Sequence, residues 1–319
     1  MRSDDTGRHI ADRALRALGI SRATGAPWLA CMTGVESVPA DDRTACELRL
    51  GAIADLGRAS AGLFDAAMLA DLALGAAVRV HAGARRPLPL LSLTLELSPV
   101  PLPADISVRG RGEPAADGLA RSYGTVLGGG TVIGHCLATF AVAASASDRV
   151  PLPWESAGPA ALPDVLPESL NMAEQEMLTA VREVARGEPG SARAWTDELL
   201  AASCAVGPGS PAGTVLRPSV AMLNRSGQVQ GAVLFWLAAF PPAAATGPDG
   251  MRMASGHLQC LSPAAPDVPL SASRAVLHST RRTVFVRADI RQEDRPVASG
   301  AFTYRRTGRT AETGAGRQS

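Results

Sequence analysis

The segment GLFDAAMLADLALGAAV (62–78) is apolar at nearly every position, yet it carries two carboxylates, Asp65 and Asp71. Burying a carboxylate without partners costs several kcal/mol, on the order of 2–7 for an unpaired polar group and more for a charge. Each acid must therefore have donors or face a wet cleft. Asp65 lies near the start of the helical stretch, where the positive end of the macrodipole and water accept a charge. Asp71 sits deeper, among Leu69, Ala70, Leu72 and Ala73. Residues six apart on an α-helix point roughly 120° apart, so the two cannot serve one cleft. An acid in such a place suits the work of a general base or a nucleophile. Such work needs a partner that holds developing negative charge, and backbone N–H groups at a helix start supply it, with glycine allowing close approach. NRSGQVQGAVLFWLAAF (224–240) has that form: Asn224, Gly227, Gln230 and Gly231 precede an apolar run. Asn and Gln amides can hold a water or a carbonyl but cannot take a proton as His can. Asn224 would equally suit an Asx-turn, and Gln230 would equally suit a cap at the helix start.

An internal duplication shows how these groups are positioned. LTLELSPVPLPADISVRGRG (93–112) has a counterpart in HLQCLSPAAPDVPLSASRAV (257–276), each with Leu-Ser-Pro. Each copy ends in a strand with a late Phe, TVIGHCLATFAV (131–142) and RPVASGAFTYRR (295–306). The spacing from Pro99 to Phe140 is 41 residues and from Pro263 to Phe302 is 39. Upstream of each Leu-Ser-Pro lies an Ala/Leu-rich helical segment, 62–80 and 231–240, the second stopped by Pro241-Pro242. Before each helix comes a predicted strand, 44–54 and 213–223. A helix apolar on nearly all faces must be wrapped by a sheet. The implied organisation is an N-terminal arm with one short helix (1–25), a first sheet-and-helix domain (26–145), a Pro-rich linker with an amphipathic helix ending near Gly187 (146–204), a second such domain (205–306) and a disordered tail (307–319).

Strand, glycine loop, long helix and curled antiparallel sheet resemble a hotdog domain. NRSGQVQGAVLFWLAAF is similar to the acyl-CoA thioesterase pattern of Asn, Gly, His-Gly-Gly and a helix bearing Asp. Asn224, Gly227 and Gly231 match it, Gln230 stands in the His place and Ala239 in the Asp place. MLADLALGAAV resembles the same helix with Asp71 in the acid's place. The first half has only DLGRASAG (55–62) for a loop, two residues longer to Asp71 than Gly227 is to Ala239; alignment by loop length would favour Asp65 or neither. The resemblance implies an α+β double hotdog of the TesB-like and PaaI-like thioesterase superfamily. It implies hydrolysis of an acyl-CoA or acyl-carrier-protein thioester at one composite site, Asp71 with Gly231, Gln230 and Asn224. The mirror site, at Ala239, would be dead. CoA or phosphopantetheine would belong to the substrate, with no separate cofactor. Arg281 and Arg282, at an expected hairpin turn, would either meet its phosphates or be solvated. A hotdog hydratase or dehydratase, which normally needs a His, and a non-catalytic acyl-binding protein are the alternatives.

Composition excludes other classes. Hydrophobic residues are 46%, aromatics 4%, and the net charge is +1, so nucleic acid is not an expected partner. The five cysteines are dispersed, with no CxxC and no HxxxH, so neither a disulfide framework nor a metal site is expected. No apolar leader or membrane-length run is present in the sequence, so a cytoplasmic protein without a membrane partner is expected. Homo-oligomers through sheet edges or faces would fit such a fold. GTVLGGGTVIG (124–134) lacks the Gly-Lys-Ser/Thr ending of a phosphate loop and reads as a hairpin. Ser60 misses the nucleophile-elbow pattern by one residue.

Overall fold

The computed structural model describes residues 3–39, 45–51, 60–98, 101–145, 150–155, 165–186, 194–206, 213–239 and 251–306, with nothing stated of the side chains of 3–8. Most of the 55–62 loop, Pro99, much of the Pro-rich stretch, Gly187, Pro241-Pro242 and the 307–319 tail lie outside the described residues.

Among the described residues twelve strands form one antiparallel sheet. The first half supplies β1 (Val35–Val38), β2 (Ala45–Leu50), β3 (Leu90–Leu97), β4 (Ile106–Gly112), β5 (Leu119–Gly128) and β6 (Thr131–Ala141). The second supplies β7 (Cys204–Val206), β8 (Thr214–Leu216), β9 (Met251–Cys260), β10 (Leu270–Ser279), β11 (Thr283–Gln292) and β12 (Arg295–Arg306). Their order is β1-β2-β4-β5-β6-β3-β9-β12-β11-β10-β8-β7, so the second half repeats the first in reverse across the β3–β9 seam. That seam is antiparallel, with Leu93 opposite Leu258 and Leu95 opposite Gly256. The duplication in the sequence is thus a duplication in topology.

Each half wraps one helix: α3 (Leu63–Ala82) in the first and α6 (Gly231–Ala239) in the second, and the two helices pack on each other. Every residue of α6 from Ala232 to Ala239 is buried, as are Phe64–Ala70 and Ala73–Val78 of α3. Phe235 of α6 meets the late Phe302 of β12 edge-on, with ring centroids 5.5 Å apart. Full burial of one such side chain is worth about 1.5–3 kcal/mol, which explains why few aromatics suffice. Gly129 and Gly130 turn the β5–β6 hairpin with φ of 58° and 77°, a conformation that glycine adopts without strain.

Three readings change. The N-terminal arm holds α1 (Ser3–Thr24), 22 residues rather than a short helix, followed by α2 (Trp28–Met32). Ile10, Ala14, Ala17 and Leu18 of α1 are buried, and the helix packs on α4 (Met172–Arg186). The strand expected over 213–223 runs only from Thr214 to Leu216, because Pro218 cannot donate to a ladder; a 3-10 turn, Val220–Met222, follows. The linker carries a second helix, α5 (Trp195–Ala202). All five cysteines are free. Among the described residues no helix is long and apolar enough to cross a membrane.

Candidate active site

Asp71 is the ninth residue of α3, and its side chain points across the inter-helix seam at the first residue of α6. A Cβ built on Gly231 would lie 3.5 Å from Asp71 Oδ2 and 2.4 Å from Leu90 Cδ2. Asp71 is half-buried and makes no hydrogen bond or ion pair among the described residues. Burial pushes its carboxyl up to about 6, against a downward pull from Arg79. Cys260 is close enough to feel it: burial, then the Asp71 charge, raise that thiol to about 12. An acid with a raised pKa and no fixed donor is available for proton transfer.

The start of α6 faces this acid. Among the described residues the backbone N–H groups of Gly231 and Ala232 have no acceptor, as befits a helix's first turn left uncapped. Gln230 is buried; its carbonyl accepts from Val233 and Leu234 N–H, and its Nε2 donates to Leu223 O at 3.2 Å. Asn224 Oδ1 accepts from Ser226 N (2.8 Å) and Gln228 N (3.2 Å), closing a tight turn completed by Gly227 at φ 70°. Its oxygen is therefore committed to the loop, the Asx-turn role. Asp71, Asn224, Gln230 and Gly231 all line one cavity of about 380 Å³, with Leu88, Leu90 and Phe140 as apolar wall. Leu261, Ser262 and Pro263, the second copy of the repeated tripeptide, line it too.

The other predicted groups lie elsewhere. Asp65 caps its own helix: Oδ2 accepts from Gly62 N at 2.7 Å and Oδ1 from Thr196 Oγ1 at 2.8 Å. Burial and the Asp197 charge push its carboxyl up to about 7. The structure does not bring Arg281 and Arg282 to the cavity. They form the β10–β11 turn, tied to the end of β12 through Arg306 N donating to Arg282 O. Arg306 pairs with Met251 at the start of β9, whereas the cavity lies beyond Cys260 at its far end. At ~3.3 Å per residue the strand separates them by roughly 30 Å.

At the mirror position, Ala239 is the ninth residue of α6 and is fully buried. The helix start it would need, that of α3, is already taken: Asp197 of α5 accepts from Leu63 N (3.2 Å) and Phe64 N (3.1 Å). Sequence reasoning missed Asp197 and Arg79. Asp197 opens an acid-rich helix start, Trp195-Thr196-Asp197-Glu198, which was a legible signal. Arg79 stands eight residues after Asp71 on the same side of α3 and also lines the cavity.

No family model and no curated protein matches the chain. Among solved structures it is similar to a candidate thioesterase from Novosphingobium aromaticivorans, at TM-score 0.51 and 18% identity, over 85% of this chain and 98% of that one. Acyl-CoA thioesterase II TesB2 from Mycobacterium marinum (TM-score 0.47, 13% identity, 85% and 96% covered) and a hot-dog-fold protein of unknown function from Alicyclobacillus acidocaldarius (0.48, 13%, 84% and 95%) are more distant in shape, and the first carries the comparison. Topology and that likeness agree: the chain has the α+β double-hotdog fold, two curled antiparallel half-sheets joined at β3 and β9, each around its own helix.

Proposed function

We propose that the protein hydrolyses an acyl thioester, carried on CoA or an acyl-carrier protein, at one composite site per chain. The observation that carries this reading is the Asp71 carboxylate directed at the uncapped start of α6, within one cavity. Asp71, ionised above its pKa of about 6, takes a proton from the water that adds to the carbonyl; the C–S bond then breaks and the proton passes to the leaving thiolate, giving acid and thiol. If the carboxylate attacks instead, the thiolate leaves with a solvent proton and water cleaves the resulting anhydride. The N–H groups of Gly231 and Ala232 receive the oxyanion, which a fixed donor pair stabilises without reorganisation. Gly231 leaves that approach open, since any side chain would meet Leu90. Gln230, with one amide hydrogen on Leu223 O, orients water or the thioester. CoA or phosphopantetheine enters as substrate, and no separate cofactor takes part. The fold likeness to a candidate thioesterase supports the same class. A dehydratase base is harder to place, since no histidine lines the cavity among the described residues. Free-thiol release from a panel of acyl-CoAs, wild type beside Asp71→Asn, tests the proposal. Loss of turnover in the variant is expected; equal turnover in both sinks it.

A further inference from the structure

The wall of the cavity is not apolar throughout. Four and eight residues beyond Asp71 on α3 come Gly75 and Arg79, both lining the same space. Gly75 has no side chain, and the Arg79 guanidinium folds back over it: Nη1 lies 3.6 Å from the point a Cβ on Gly75 would occupy. That places the cation about one helical turn, ~6 Å, from Asp71 along the axis. Arg79 is anchored from behind, with Nη1 on Glu155 Oε1 at 3.0 Å, and the two side chains are only 16% and 9% exposed. Glu155 Oε2 in turn accepts from Leu152 N, so this acid is fully committed. Arg79 is not. Among the described residues Nη1–Glu155 is its one side-chain hydrogen bond, and its Nε is buried without a partner.

A guanidinium with five N–H donors and one acceptor, in the wall of a substrate cavity, is short of oxygen. We propose that Arg79 selects acyl groups bearing a neutral oxygen, a hydroxyl or keto group, on about the third to fifth carbon. This rests on the hydrolase reading of the site. Charge decides against a carboxylate there: Glu155 already neutralises Arg79, and Asp71 adds a second negative charge to the same wall. The other cation lining the cavity, Arg225, sits in the 224–228 turn, where it donates to the Thr24 and Val150 carbonyls. Plain alkyl chains would leave the Arg79 donors desolvated and unpaired, the costly case for a buried polar group.

The test compares hexanoyl-, 3-hydroxyhexanoyl-, 3-oxohexanoyl-, 5-hydroxyhexanoyl- and adipoyl-CoA. At least one neutral oxygenated substrate is expected to exceed hexanoyl-CoA in kcat/KM by about 10-fold, as a hydrogen bond to a charged group allows, with adipoyl-CoA poorest. In Arg79→Met that ratio is expected to collapse to within about twofold, and Arg79→Lys to retain part of it. Hexanoyl-CoA turned over as well as the oxygenated chains by wild type, or a ratio that survives Arg79→Met, overturns the proposal. Should Arg79→Met not fold, the wild-type ranking decides alone. If no thioester is cleaved, the hydrolase reading fails separately. Calorimetric Kd ratios for analogues with CH2 replacing the thioester sulfur then still test Arg79: a tenfold preference for an oxygenated acyl supports it, and none refutes it.

Discussion

The two halves share a topology and differ at one kind of place, the first turn of the central helix. At α3 the N–H groups of Leu63 and Phe64 are held by Asp197, and Asp65 holds Gly62 N–H. At α6 the corresponding N–H groups of Gly231 and Ala232 have no acceptor among the described residues, and Gly231 lines a cavity. The acid follows the same division: Asp71 faces the open start, and Ala239 occupies the equivalent ninth position in the other half. A helix start can be satisfied by a carboxylate of the chain or left for a ligand's oxygen, but not both at once. Capping has turned one half into a structural joint. On the proposed reading, the uncapped half is the one that keeps the capacity for chemistry.

The comparison can be broken most severely at Asp71. Asp71→Asn is expected to lower kcat for thioester hydrolysis by about 10²–10⁴-fold, read by thiol release. Its stability should move the other way. The native state raises this carboxyl from the usual 3.8 to about 6, so it binds the proton more tightly than the unfolded chain does. That stabilisation is full below about 3.8 and lost as pH rises through about 6, so at pH 8 the charge is a burden that Asn removes. The variant should melt higher at pH 8, by ~2–4 °C for each kcal/mol relieved, and calorimetric scans at pH 4 and 8 should show the gain shrinking at the lower pH.

Gly231→Ala against Gly62→Ala tests the two helix starts directly. The first methyl would press on Leu90 and crowd the approach to the donors, and about a 10²-fold loss in kcat/KM is expected. The second would fall 2.6 Å from Asp197 Oδ2, disturbing the joint; its effect should appear in the melting temperature with turnover kept. Asp197→Ala sharpens the point. Losing a helix cap costs about 0.5–2 kcal/mol, partly offset because Asp65 loses a like charge beside it. Denaturant midpoints should fall while kcat/KM stays within about twofold. The pH dependence of wild-type kcat/KM should rise through about 6 and then level, since the carboxylate is the working form; a profile flat from pH 5 to 8 would remove Asp71 from the mechanism. The smallest effect is expected at Arg281 and Arg282. Replacing both with Ala should change KM by less than about twofold, given the roughly 30 Å of strand between turn and cavity.

The sequence by itself determined the duplication, the two wrapped helices and that two acids in one apolar helix required partners or water. Those follow from apolar periodicity, repeated spacing and the cost of burying a charge, all local or counted along the chain. The 120° between Asp65 and Asp71 separated their roles, but not which one faced the seam. That needed the crossing of α3 over α6, which sets Asp71 beside Gly231 across 160 residues of chain. The length of α1 was missed because its burial depends on α4, a partner far away in sequence. Arg281 and Arg282 resembled a phosphate contact only while their end of the sheet was unknown. Asp197 was legible as an acid in the first turn of its own helix, but not as the plug of α3, because a cap donated from another element leaves no spacing pattern. Arg79 looked like an ordinary basic residue in the last turn of a helix. Only the fold of the 150–155 segment gave it Glu155, and only the absence of a side chain at Gly75 let it lean into the cavity. Sequence fixes what each group can do, whereas tertiary packing decides which partners and how much water it meets, and those set its function.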